Sequence, residues 1–113
     1  NKIMAITYKW LIPSMEAYVE KDGESNVIYS VNWTYIGEED TYSALLNGIT
    51  NFTYVAGDPF VPYEDTEAFE DVVIGWLEGS LDMPTMQANI AAQIELEKNP
   101  VIEQLYFTWE DQP

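Results

Sequence analysis

The chain has 113 residues, 20 of them acidic and four basic, for a formal charge of −16, and it contains no histidine, cysteine or arginine. Those absences exclude His-dependent and Cys-dependent nucleophiles, thiolate or imidazole metal sites and disulfides. They also exclude the guanidinium clamp for phosphate, and the charge disfavours direct contact with nucleic acid or anionic lipid. With 47% hydrophobic and 14% aromatic residues the chain is nevertheless too apolar for a disordered acidic tail, and its length suits a single domain.

In chain order, Asn1-Lys2-Ile3 precede Met4-Ala5, which reads as a natural start, so the first three residues are set aside as an upstream extension or expression scar. From Met4 to Ile12 the apolar residues Met4, Ile6, Tyr8, Trp10 and Ile12 recur with the period of two expected of a half-buried strand. Pro13 ends or bulges it. The apolar set then moves to Met15, Ala17 and Val19, a parity change that implies one inserted residue, and Lys21-Asp22-Gly23-Glu24 supplies a hairpin turn. The clearest strand is Val27–Ile36, with Val27, Tyr29, Val31, Trp33 and Tyr35 on one face; its expected partner is Met15–Val19. Gly37-Glu38-Glu39-Asp40 reads as the next turn and Thr41–Leu46 as a returning strand that Gly48 interrupts. Phe52, Tyr54 and Val55 suggest a short edge strand before Gly57-Asp58-Pro59.

The second half changes period. Phe69, Val72, Val73, Trp76, Leu77 and Leu81 lie at helical spacing, with Asp65 or Thr66 as the cap and Glu67, Glu70 and Asp71 suited to the helix N-terminal end. Gly79 weakens the last turn. A second helix starts around Pro84 and runs through Met86, Ile90 and Ile94 to Lys98, where Asn99-Pro100 stops it. The tail returns to period two, with Leu105, Phe107 and Trp109 on one side, as a last strand of the chain's own sheet or a docking arm. The expected fold is α+β: an antiparallel meander of three to four strands followed by two helices packed on one face. This gives a two-layer single domain over 4–100 and a tail over 101–113.

Chemistry-bearing clusters are sparse. Asp22/Glu24, Glu38-Glu39-Asp40 and Asp58/Glu64/Asp65 lack EF-hand spacing, and the first two fall on turns, where solvated acids need no further reason. Asn32-Trp33-Thr34 and Asn51-Phe52-Thr53 match the glycosylation acceptor pattern, but the first lies inside a predicted strand. Tyr8, Trp10, Tyr29, Trp33, Tyr35, Phe69 and Trp76 fit a sheet–helix core better than a ligand pocket. No catalytic, metal or cofactor residue is nominated. No apolar run reaches the ~18 residues that would span a membrane, and the N-terminus lacks the layout of a secretory signal. A soluble protein is therefore expected.

Acidic mimicry of DNA is the sharpest alternative use of the charge. A compact chain of this mass exposes roughly 6,300 Å², about one net charge per 400 Å², against about one per 100 Å² on duplex DNA. Mimicry would need most of the acids gathered on about a quarter to a third of the surface, whereas in sequence they are spread over the turns, the first helix and the tail. Solubility is the preferred reading.

Five segments in order, Met4–Trp10, Val27–Gly37, Phe60–Asp65, Val72–Leu77 and Ala88–Glu95 followed by Asn99-Pro100, resemble a family of small, acidic, uncharacterised tailed-bacteriophage proteins. Members of that family tend to end in a proline-rich stretch closing on tryptophan, and Val101–Pro113 departs from that pattern. The resemblance implies phage origin, in the virion or the host cytoplasm, and carries no catalytic residues. A non-catalytic, minor virion component that decorates a head or attaches to a tail is then expected. Its partner would be a phage structural protein or another copy of itself, and Leu105, Phe107 and Trp109 would be the docking element. The alternative is an accessory protein that inhibits a host nucleic-acid-binding enzyme by acidic mimicry.

Overall fold

A computed structural model describes residues 5–110. Three strands, β1 (Thr7–Lys21), β2 (Glu24–Glu39) and β3 (Tyr42–Asn51), form one antiparallel sheet in the order β1-β2-β3, and two helices follow, α1 (Glu67–Ser80) and α2 (Met83–Lys98). The architecture is the expected α+β meander with helices on one face. Met4, expected to open the first strand, lies outside the described residues.

Pro13 does not end β1. The strand continues through it, with an extra residue between Leu11 and Ser14 against Thr34 and Asn32 of β2, which is the inserted residue implied by the parity change. A second register shift lies between Glu16 and Ala17, where β2 carries the extra residue, and it overturns one expectation. By parity Tyr29 belongs with Val31 and Trp33 in the core. The bulge turns Ile28 to the core instead, and Tyr29 packs on Tyr18 with its hydroxyl donating to Glu16 Oε2 at 2.7 Å.

The turn between β2 and β3 is shorter than the expected Gly37–Asp40. Gly37 is a buried residue of β2, where a Cβ would come 2.4 Å from Ile90 Cγ2, so the bare backbone is what lets α2 approach the sheet. Gly48 likewise does not interrupt β3, which runs on to Asn51. Phe52–Val55 forms no strand. Only the Phe52 N–H continues the pairing, donating to the Tyr29 carbonyl at 2.8 Å, before the chain enters the loop to α1.

Thr66 caps α1, its side-chain oxygen accepting from the Phe69 N–H at 3.2 Å. Asp82 caps α2 by accepting from both the backbone N–H and the hydroxyl of Thr85, so the helix begins at Met83, one residue before the expected start at Pro84. Phe69, Val73 and Leu77 of α1 and Met86, Ile90 and Ile94 of α2 meet Val31, Trp33, Tyr35 and Ala44 in the core, flanked by Tyr8, Trp10 and Trp76. Tyr8 stacks on Tyr35, and Trp10 contacts both Tyr35 and Trp33. The polar tips of these rings find partners: Trp33 Nε1 donates to Thr50 Oγ1 at 3.0 Å, and Gln87 Nε2 donates to the Tyr35 hydroxyl at 3.0 Å. Gln87 faces the core as the hydrogen-bonding complement of Tyr35, a role that hydrophobic periodicity has no means of revealing.

Candidate interaction surface

Two features leave the two-layer body and a third is cut into it. The first is the far end of the β1–β2 hairpin. Pairing of β3 with β2 stops at Asn51 opposite Ser30, so Ala17–Lys21 and Glu24–Ile28 continue as a two-stranded ribbon closed by Asp22-Gly23, both at positive φ (52° and 83°), the signature of a tight two-residue hairpin turn. Val19 on this ribbon is 85% exposed. The molecule is correspondingly elongated, 71 × 42 × 23 Å, and exposes 8410 Å².

The second feature is the tail. Beyond Asn99 and Pro100, every residue from Val101 to Glu110 is exposed and in irregular conformation. Among the described residues the tail adds no strand to the chain's own sheet. Leu105, Phe107 and Trp109 are 81%, 64% and 76% exposed, and the rings of Phe107 and Trp109 rest on each other edge to face at 5.9 Å. The tail's starting point is well defined, because Lys98 at the end of α2 pairs with Glu39 at the end of β2, opposite Tyr42.

The third is concave. A groove of about 550 Å³ opens between the bulged part of β1 and the N-terminal half of α1, lined by Ile12, Met15, Ile28, Phe69 and Val73. Glu64, Asp65 and Glu70, all exposed, also line it. A smaller hollow of about 240 Å³ lies among Val27, Phe52, Phe60 and Trp76.

The acidic clusters are dispersed. Asp22 and Glu24 occupy the hairpin tip and Glu38, Glu39 and Asp40 the opposite end of β2, about 50 Å away at ~3.3 Å per residue. Two of the latter acids are paired, Glu38 with Lys9 at 2.8 Å and Glu39 with Lys98. Asp58, Glu64 and Asp65 lie on the loop before α1. Among the described residues no group of three or more acidic side chains converges as a cation site, and no helix is long and apolar enough to cross a membrane. Of the two acceptor-like asparagines, Asn32 lies within β2 with its side-chain amide donating to Ser14 Oγ at 2.6 Å, and Asn51 ends β3.

Three groups hold their protons more tightly than usual. Tyr8 is shifted up by burial and then by neighbouring Tyr35, Tyr29 by its hydrogen bond to Glu16, and Lys98 by its hydrogen bond to Glu39. All three serve packing or pairing already described.

These features define a small two-layer α+β domain with a projecting ribbon and a free aromatic arm. The chain belongs to a family described as a domain of unknown function (DUF7936), whose model matches residues 5–109. That span takes in the tail as far as Trp109. No curated protein and no solved structure matches the chain.

Proposed function

We propose that this protein is a non-catalytic component of a tailed-phage virion, decorating a head or attached to a tail, and that it acts by binding protein through its C-terminal arm. The observation that carries the reading is the arm itself: Leu105, Phe107 and Trp109 alternate as a strand does, yet lie exposed and belong to no strand. Exposed aromatics of this kind are the usual anchors of protein interfaces. The family match extends through Trp109, and the resemblance to small acidic phage proteins supports the phage setting. A composition without histidine, cysteine or arginine supports binding over catalysis. Acids at both ends of β2, on the α1 loop and on the tail favour solubility at high local concentration over imitation of a DNA face. On this proposal the protein resides in the virion or the host cytoplasm and has no nucleic-acid or membrane partner of its own.

Mass spectrometry of purified virions from a phage whose genome encodes this chain tests the reading. A fixed number of copies per virion is expected. Absence from virions, together with expression early in infection, would overturn it. Salt-sensitive capture of a host DNA-binding protein would then favour mimicry.

A further inference from the structure

The two outer strands of the sheet are protected very differently. β1 carries Pro13, a bulge between Leu11 and Ser14 and the charged residues Lys9, Glu16, Glu20 and Lys21, the devices that normally keep an edge from pairing. β3 has none of them. Its ten residues include no proline and no charge, and no charged side chain occurs anywhere between Asp40 and Asp58. Its pairing is with β2 alone, and among the described residues no other backbone hydrogen bond reaches it. Every second residue of such an edge turns its N–H and C=O outward.

We infer that the β3 edge receives the Gln104–Trp109 segment of a second copy of this chain, and that two copies exchange arms reciprocally. This rests on the reading of the arm as the docking element and names what it docks on. Charge selects the pairing. Gln104–Trp109 is an uncharged run between Glu103 and Glu110, and β3 is the uncharged edge of a chain that is otherwise strongly acidic, so strand addition here brings no acid directly opposite another. Geometry selects a second copy over the arm's own sheet. The arm leaves α2 where Lys98 meets Glu39, beside the Tyr42 end of β3, so an arm folding back along its own β3 would have to run parallel to it. An arm from another copy is free to lie antiparallel, the more stable ladder, and a two-fold arrangement makes the contact twice. Leu45 and Ile49, 47% and 66% exposed on the sheet face away from the helices, would flank the added strand.

Two copies each carrying −16 repel, so association should strengthen with salt, the reverse of an ion-paired interface. The experiment is sedimentation velocity on the full chain at low and at about 0.5 M NaCl, where charge–charge repulsion is screened to a few ångströms. Hydrogen exchange of the Ala44–Ile49 amides is measured alongside. A dimer favoured by salt is expected, with the outward-facing amides of that segment slowed at least tenfold relative to dimer-breaking variants. Phe107→Asp/Trp109→Asp on the arm and Leu45→Glu/Ile49→Glu on the edge should each weaken dimerisation at least tenfold. All four positions are exposed, and retained melting profiles would show that the fold persists. A monomer under all conditions, a dimer indifferent to either pair, or slowed β3 amides in a monomer would overturn the inference. A monomer still present in fixed numbers in virions overturns this inference alone; a dimer absent from virions overturns the virion assignment alone.

Discussion

Gly48 of β3 lies flat against the indole of Trp33: a Cβ built on the glycine would come 2.3 Å from Trp33 Cζ2 and within 3 Å of two further ring atoms. The two residues are register partners across β2 and β3, so the ring lies over the position directly opposite its own backbone. Trp33 cannot simply swing away. It is buried, contacts Trp10 edge to face and donates to Thr50.

Gly48→Ala should therefore destabilise the fold by about 1–3 kcal/mol, the usual cost of forcing extra volume into a filled core. Urea denaturation checks it. Intrinsic strand preference alone argues the other way, because alanine suits a strand better than glycine. A neutral or stabilising Gly48→Ala would show that the indole yields without cost.

The same pair explains which parts of the fold are legible in the sequence. Strand and helix periodicity, the single inserted residue at Pro13, the Thr66 cap and the Asn99-Pro100 stop all depend on neighbours within a few positions, and each is readable there. Gly37 and Gly48 read locally as a turn and an interruption because glycine usually marks those features. Their actual reasons are Ile90 and Trp33, residues far along the chain or on another strand. Tyr29 is misplaced for a related cause, since a bulge on β2 is defined only by its register against β1. The arm's alternation is legible; that it remains outside its own sheet depends on where α2 releases the chain, which periodicity does not encode.

Thr66→Ala should cost about 0.5–2 kcal/mol by leaving the Phe69 N–H without its capping oxygen. Thr66→Ser should recover most of that, since the hydroxyl is what accepts. Paired chemical melts of the two variants separate a capping role from loss of the threonine methyl.

Alkaline pH should unfold this protein sooner than its neutral-pH stability suggests. Tyr8, Tyr29 and Lys98 all bind their protons more tightly when folded, above ordinary values of 10.0 for tyrosine and 10.5 for lysine. The unfolded chain releases those protons first, so the contribution is intact below about pH 10 and is lost as pH rises through the folded-state values. The urea midpoint should be nearly flat from about pH 8 to 9.5 and then fall. Tyr8→Phe/Lys98→Met should make that fall shallower, and a midpoint that rises above pH 10 would contradict the assignment.

Stability and binding should separate cleanly between α2 and the arm. Ile90 is fully buried against Gly37 and the core, so Ile90→Ala removes packed methyl groups and should cost about 2–5 kcal/mol. That is a large share of the roughly 5–15 kcal/mol that holds a domain of this size together. Leu105→Ala, Phe107→Ala and Trp109→Ala remove equally apolar side chains that are mostly in solvent, and each should change the unfolding free energy of the monomer by no more than about 0.5 kcal/mol. Measured in dilute, low-salt solution, where copies stay apart, the three arm variants should melt with the parent chain while Ile90→Ala melts well below it. If Trp109→Ala instead lowers monomer stability by an amount comparable to Ile90→Ala, the arm packs on its own domain in solution. Leu105, Phe107 and Trp109 would then belong to the core's energetics rather than to a partner's.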